Sequence, residues 1–170
     1  MKTLFATYSL EGNCRALSEA MAGATGGMAV ELVPVDDDIP RTGLGKYFVG
    51  GKRALLKKAQ AVKALDVDIA AFDVIVVGSP VWFGRMTPPV RAFLESVDWR
   101  GKKAAVFAMH RGGKGKAAKT MAEIITARGG VVVASANFVD LRRDKAEATL
   151  EEAVAWAKTA EESAKASSAL

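Results

Sequence analysis

The sequence predicts an α/β protein in which helices cover both faces of a parallel sheet. Apolar runs and helical patterns alternate along the 170 residues, with a strand before each of five helices. The run Val74–Val77 is apolar without interruption, which is typical of a strand that is buried on both faces. A chain of this length makes one domain with a substantial core. We therefore expect a three-layer α/β/α domain over residues 1–163.

Each element follows from its own pattern. The predicted strands are 2–8, 28–35, 73–78, 103–109 and 131–139, and the predicted helices are 13–23, 52–62, 88–97, 116–128 and 144–163. Pro88 and Pro89 suit a first helical turn, and Gly129 and Gly130 stop the helix before them. Residues 164–170 are mostly small and polar, so we expect a frayed tail.

The composition excludes several classes of protein. Cys14 is the only cysteine and His110 the only histidine, which excludes an internal disulfide and any metal site built from several thiolates or imidazoles. No apolar run approaches the length of a membrane span, and the apolar start is interrupted too early for a signal peptide. We expect a cytoplasmic protein that holds no metal and does not bind membranes.

The net charge of +5 comes from one segment. Residues 39–65 carry seven basic side chains and no acid, so the rest of the chain is net negative. Two interpretations are open: a solvated helix face, or a patch for an anionic partner or substrate. A nucleic-acid site is not expected, because neither interleaved aromatics nor a helix-turn-helix pattern accompanies the charge. Tyr47 and Phe48 lie in a glycine-rich part of this segment, which is either a surface loop or a flap over a ligand.

Three unusual loops follow strands one, three and four. In an open parallel sheet, ligands bind beyond the carboxyl ends of the strands, where the strand order reverses. If the strand order is 2-1-3-4-5, these three strands are neighbours and their loops meet at one place. That convergence is stronger evidence for a site than any single loop.

The first loop leads directly into a helix and contains Ser9, Leu10, Glu11, Gly12, Asn13 and Cys14. A helix start presents unpaired N–H groups and suits a phosphate, while Gly12 allows close approach of the backbone. The alternative is an ordinary strand-to-helix turn capped by Asn13. The loop resembles the phosphate loop of the flavodoxin family, although Glu11 and Cys14 stand where threonine is usual. The resemblance implies a flavodoxin-like fold, the sheet order 2-1-3-4-5, and flavin mononucleotide (FMN) as cofactor.

The second loop contains Pro80, Val81, Trp82, Phe83 and Gly84, and the third contains His110, Arg111, Gly112, Gly113, Lys114 and Gly115. The flat aromatic faces of the second loop suit a flavin ring, unless both rings pack on the neighbouring helix. The glycines of the third loop allow its N–H groups to line a concavity. The family resemblance implies that the second loop flanks the flavin ring and the third contacts its pyrimidine end. His110 is either an acid or base, or a hydrogen-bonding neighbour.

The charges beside these loops indicate how the flavin is used. Arg85, Arg111, Lys114 and Lys116 lie in or near them, and no acid occurs in 79–94 or 100–122. Positive charge near the ring stabilises reduced flavin, which favours an oxidoreductase that serves a small acceptor such as a quinone, with electrons from NAD(P)H or a partner reductase. The alternative is a non-enzymatic carrier that docks redox partner proteins. The sequence assigns no catalytic residue, and both a monomer and a homodimer are compatible with it.

Overall fold

The computed structural model describes residues 1–36, 60–141 and 145–167. In this part of the chain, one parallel sheet carries two helices on each face. The strands are β1 (Thr3–Thr7), β2 (Met28–Glu31), β3 (Val74–Pro80), β4 (Lys103–His110) and β5 (Val131–Val139), and the helices are α1 (Asn13–Thr25), α2 (Pro88–Ser96), α3 (Ala117–Ala127) and α4 (Ala146–Ala166). The strand order is β2-β1-β3-β4-β5, which confirms the predicted topology.

The core consists of two apolar layers, one on each face of the sheet. Successive side chains of a strand point to opposite faces. Val74 and Val76 accordingly pack with α1 and α4, while Ile75 and Val77 pack with α2 and α3. All four side chains are essentially inaccessible to solvent, as the uninterrupted apolar run predicted.

The second strand is shorter than predicted. β2 ends at Glu31, and the last bond of this part of the ladder runs from the N–H of Leu32 to the carbonyl of Thr7. Pro34 has no N–H to continue the ladder. It forms instead an isolated antiparallel bridge with Val62. The prediction of a strand as far as Val35 was therefore wrong by four residues.

The predicted helix at 52–62 lies mostly outside the described residues, as do Tyr47, Phe48 and most of the basic segment. Residues 60–62 are described and are not helical, because Val62 belongs to the bridge with Pro34. At the other end of the chain, α4 extends three residues beyond the predicted end, and Ala164 is fully buried. Residues 164–166 of the predicted frayed tail are thus helical.

The carboxyl ends of β1, β3 and β4 lie side by side at one edge of the sheet. Thr7 pairs with Gly78, and Pro80 pairs with Met109. β3 extends two residues beyond its predicted end because β4 continues to pair with it. Since the loops after these three strands start from adjacent positions, the fold brings them together.

Candidate functional site

A cleft opens where the loops after β1, β3 and β4 meet, as the topology predicted. Most of the predicted site residues line it, together with two that were not predicted. The lining residues are Ser9, Leu10, Glu11, Asn13, Cys14, Pro80, Val81, Trp82, Met109, His110, Arg111 and Asp140. The remaining predicted residues lie outside this set. Gly12 lines a depression on the β2 side, and Phe83, Gly84 and Gly115 line a groove on the other side of the second loop. Gly112, Gly113 and Lys114 are exposed.

Helix α1 starts at the cleft without a side-chain cap. Its N-cap residue is Gly12, with φ 87° and ψ −13°, and within the described residues the helix start has no side-chain cap hydrogen bond. The interpretation of Asn13 as the cap was therefore wrong. Its amide Nδ2 instead donates to Oδ1 of Asp140 at 2.9 Å. Because glycine adopts this left-handed conformation without a steric penalty, Gly12 sets the direction in which the chain enters the helix.

The positive charge of Arg111 is bound by two carboxylates. Nη2 of Arg111 lies 3.0 Å from Oδ2 of Asp140 and 3.5 Å from Oε2 of Glu11. The expectation that Arg111 adds net positive charge beside the ring was therefore wrong. Apart from His110, the side chains that line the cleft carry one positive and two negative charges.

Asp140 is the charged residue of the cleft that the sequence did not predict. It follows β5 directly, and its N–H donates to the carbonyl of His110 at 2.9 Å. This bond joins the ends of β4 and β5 and directs the carboxylate toward Asn13 and Arg111. The available signal was its position: an acid directly after the fifth strand lies at the same edge of the sheet as the three loops.

Cys14 is a buried thiol rather than a reactive thiolate. The residue is 1% exposed and packs among apolar side chains below the cleft. Burial raises the pKa of the Cys14 thiol well above its usual range, and the negative charge of Asp140 raises it further. A thiol must ionise to act as a nucleophile, so this cysteine is poorly suited to thiol chemistry in the folded protein.

The second loop is held at both ends by hydrogen bonds. At its start, the N–H of Val81 donates to the carbonyl of Met109 at 2.8 Å. At its end, the N–H of Thr87 donates to the hydroxyl of Ser79 at 3.0 Å, and both side chains are fully buried. These bonds fix the loop between β3 and α2 to the end of β4.

A tight turn separates the two aromatic residues of this loop. Trp82 and Arg85 exchange backbone hydrogen bonds at 2.9 and 3.0 Å, while Phe83 and Gly84 have φ of 50° and 73°. Positive φ at both central residues is the pattern of a type I′ turn, which usually has Asn or Gly at these positions. For a residue with a Cβ, the left-handed region costs about 1–2 kcal/mol.

The two rings consequently lie in different surroundings. The ring of Trp82 lines the cleft and packs edge-on against Tyr8, with centroids 5.7 Å apart. Phe83 stands at the tip of the turn and is 64% exposed, although its backbone is strained. The alternative in which both rings pack on the neighbouring helix was therefore wrong for Phe83.

The turn is in close backbone contact with the third loop. The N–H of Lys116 donates to the carbonyl of Gly84 at 2.7 Å. A Cβ at Gly115 would lie 2.3 Å from that carbonyl oxygen and 2.4 Å from the Cα of Gly84. Residue 115 must therefore be glycine for the two loops to approach this closely. We call this approach of the two loops the Gly84–Gly115 contact.

His110 contributes a polar atom to the cleft. Its side chain lines the cleft, and among the described residues no group forms a hydrogen bond with its buried Nδ1 atom. Buried polar groups usually have a partner, so an unsatisfied one in a cleft indicates a place for a ligand atom or a water molecule.

A family model matches residues 3–143, which is most of the chain. Its description is NADPH-dependent FMN reductase. The chain belongs to the NADPH-dependent FMN reductase family. This membership confirms the predicted resemblance to flavodoxin-like FMN-binding proteins and the predicted cofactor, FMN.

Two curated relatives of this FMN reductase family member carry the name NAD(P)H dehydrogenase (quinone). The chain is 33% identical over 111 residues to an NAD(P)H dehydrogenase (quinone) of Trichlorobacter lovleyi, covering 59% of this chain and 53% of that protein. It is 30% identical over 135 residues to a protein of the same name from Caulobacter vibrioides, covering 74% of this chain and 64% of that protein. The chain thus spans less than two thirds of the length of either relative.

Solved structures confirm the fold. A flavoprotein from Lactobacillus acidophilus in complex with FMN has a TM-score of 0.68 and 21% identity, covering 86% of this chain and 95% of that one. A flavoprotein from Bacteroides uniformis has a TM-score of 0.72 and 21% identity, with coverages of 92% and 97%. An archaeal flavodoxin matches with a TM-score of 0.58 and 18% identity, covering 95% of this chain and 99% of that one. Among the described residues, no helix is both long and apolar enough to cross a bilayer.

Proposed function

We propose that this protein is an FMN-dependent oxidoreductase that passes electrons from a reduced nicotinamide nucleotide to a small acceptor such as a quinone. The observation that carries the proposal is the meeting of the three predicted loops in one cleft, at the carboxyl edge of the sheet. Ligands of open α/β sheets bind at this edge. When bound, FMN supplies hydride acceptance and onward electron transfer, and the protein supplies binding and orientation.

The start of α1 suits the phosphate of FMN. Its first N–H groups receive no side-chain cap, and Ser9 and Asn13 line the cleft beside it. Among the described residues, a Cβ placed on Gly12 would meet the guanidinium of Arg15, at 3.7 Å, and no other atom within 4 Å, so the described residues leave space next to this glycine for a ligand. Unpaired N–H groups and the helix dipole both favour an anion at this position.

The carboxylates beside this helix start oppose an anion. Two negative charges 4 Å apart repel by about 1 kcal/mol in water and about 4 kcal/mol near a protein surface. Arg111 binds both Glu11 and Asp140 and compensates part of their charge. We propose that Ser9, Gly12, Asn13 and the backbone of the loop hold the phosphate, with looser binding than a phosphate loop that carries threonines.

The opposite wall of the cleft suits the flavin ring. Pro80, Val81 and Trp82 form an apolar wall, and Trp82 is held in place by Tyr8. The third loop brings His110 to the cleft, and its buried Nδ1 has no hydrogen-bond partner among the described residues. We propose that the ring lies between the second and third loops, with His110 as a hydrogen-bonding neighbour.

The electron-carrier alternative is not favoured. The family and both curated relatives are described as reductases or dehydrogenases. We propose a small-molecule acceptor rather than a partner protein. We also propose a cytoplasmic location, because the single cysteine is a free, buried thiol. For the oligomeric state, both a monomer and a homodimer stay predictions.

The test has two parts. The protein should release FMN on denaturation, and release of FAD or the absence of flavin affinity would contradict the cofactor assignment. The FMN-loaded protein should then oxidise NADPH or NADH in the steady state, faster with a quinone than without, and free FMN at the same concentration provides the control. Oxidation only after addition of a separate reductase would return the protein to the carrier class.

A further inference from the structure

A groove lies on the other side of the turn from the cleft. Its lining includes the apolar side chains of Phe83 and Met86 and the cationic side chains of Arg85, Arg91 and Lys116. We call it the turn groove. Its volume of about 650 Å³ lies within the range of about 300–1,000 Å³ that is typical of small-molecule sites.

The side chains that line the turn groove carry a net positive charge, whereas those that line the cleft carry a net negative one. Three cationic side chains line it, with Glu123 as the single carboxylate among its described lining residues. Glu123 lies 3.9 Å from Lys119 on the surface of α3, and Arg91 lies 3.4 Å from Glu95. Within the described residues, neither Arg85 nor Lys116 has a carboxylate within 4.0 Å. Two cations are thus available to an anionic ligand.

Phe83 adds an aromatic surface next to these cations. The residue is 64% exposed and its φ is 50°, a conformation that a phenylalanine rarely adopts. Backbone strain tends to be retained at functional sites. The Gly84–Gly115 contact fixes this turn to the start of α3. The Phe83 ring and the charge of Lys116 are therefore held in a fixed position relative to each other.

We propose that the turn groove binds the phosphate-bearing adenosine half of NADPH. The inference rests on the proposed function, in which the nicotinamide reaches the cleft. Trp82 lines the cleft and the adjacent Phe83 lines the turn groove, so an elongated dinucleotide spans both sites by crossing one turn. Arg85 and Lys116 bind phosphate, and Phe83 stacks on the adenine.

Calorimetric titration of the FMN-loaded protein with adenosine 2′,5′-bisphosphate tests the groove without catalysis. We expect binding to the wild type and a weakening of about tenfold in Arg85→Ala and in Lys116→Ala, because each loses a charged hydrogen bond. Lys158→Ala removes the same charge from α4, on the opposite face of the sheet, and should bind like the wild type. Absence of binding, or equal affinity in all four proteins, would overturn the proposal.

Kinetics separate this inference from the proposed function. In the groove variants, the ratio of KM for NADPH to KM for reduced nicotinamide mononucleotide should rise about tenfold, because the mononucleotide lacks the adenosine half. An unchanged ratio in proteins that still oxidise NADPH would overturn the groove and leave the function standing. If the variants instead shift a monomer–dimer equilibrium without altering bisphosphate binding, the groove faces a second copy of the chain and the proposal fails.

Discussion

The two sides of the second loop differ in whether their cationic side chains are paired with carboxylates. In the cleft, Arg111 is bound by Glu11 and Asp140, so the side chains that line the cleft are net negative. In the turn groove, Arg85 and Lys116 have no such partners among the described residues. An anion in the cleft therefore depends on backbone N–H groups, whereas an anion in the turn groove meets two cations that have no carboxylate partner in the described part of the chain.

This difference shows why charge counted along a sequence does not give the charge of a site. Arg111 and Lys116 lie five residues apart in the same loop region, yet within the described residues only Arg111 meets Asp140, the acid that follows β5. A side chain's effect on a ligand depends on the groups that bind it in the folded protein.

The largest effect is expected at the Gly84–Gly115 contact. Gly115→Ala would place a Cβ within 2.4 Å of two backbone atoms of Gly84, at a φ of 55°. We expect a loss of about 3 kcal/mol in the free energy of unfolding, from overpacking and from strain. FMN affinity should fall as well, because both ring loops must move. Urea unfolding and FMN fluorescence titration measure the two effects.

Gly113→Ala provides the matched control in the same loop. A Cβ there meets nothing within 4 Å, and its φ is not in the left-handed region. Stability and FMN affinity should both stay within about 0.5 kcal/mol of the wild type, as for ordinary surface changes. If Gly115→Ala behaves like this control, the contact does not hold the two loops together.

A smaller effect of opposite sign is expected at Asp140. Asp140→Asn keeps an oxygen for Asn13 but removes one negative charge beside the start of α1. We expect FMN to bind about fivefold more tightly, since about 1 kcal/mol of repulsion is relieved. Riboflavin, which lacks the phosphate, should bind as before. Fluorescence titration with both ligands measures the difference.

Asp98→Asn controls for the change in net charge, because Asp98 is an exposed carboxylate paired with Arg100. This variant should leave both affinities unchanged. Weaker binding of FMN to Asp140→Asn would mean that the carboxylate acts mainly by holding Asn13 and Arg111 in place, and the electrostatic account of the cleft would then be wrong.

The smallest effect concerns Cys14. Because burial raises the pKa of the thiol, the native protein keeps its proton at pH 9, whereas the unfolded chain ionises near its usual pKa. Stability from this group is therefore present at neutral pH and decreases as the pH rises through the ordinary thiol range. Iodoacetamide should react at pH 9 at least about 100-fold faster in denaturant than in buffer. Equal rates would contradict the buried, neutral thiol.

The sequence predicted the architecture because hydrophobic periodicity is a local signal. The strand predicted from Val74–Val77 and the helix predicted to end at the glycines after Arg128 both have bounds within two residues of the observed ones. The boundaries that failed depend on partners far along the chain. β2 ends early because Pro34 pairs with Val62, and α4 extends because Ala164 is buried against the sheet layer.

The candidate site was predicted in outline and not in its electrostatics. The motifs identified the three loops, since glycines and aromatics after strands are visible in the sequence. The role of Asp140 depends on the pairing of β5 with β4, which brings together residues 29 positions apart. Trp82 and Phe83 point into different surroundings because of a turn with Phe83 at its second position. Phenylalanine is not a typical residue at the φ of 50° found there. Both features are tertiary, and no local pattern encodes them.

The central claim is that this cleft binds FMN with its phosphate at the start of α1, and the most direct test compares FMN with riboflavin. Gly12 adopts a φ of 87° there, which valine does not adopt without strain. The account predicts that the wild type binds FMN at least about tenfold more tightly than riboflavin, and that Gly12→Val removes most of this preference. Equal affinities for FMN and riboflavin in the wild type, or a preference that Gly12→Val leaves intact, would contradict it.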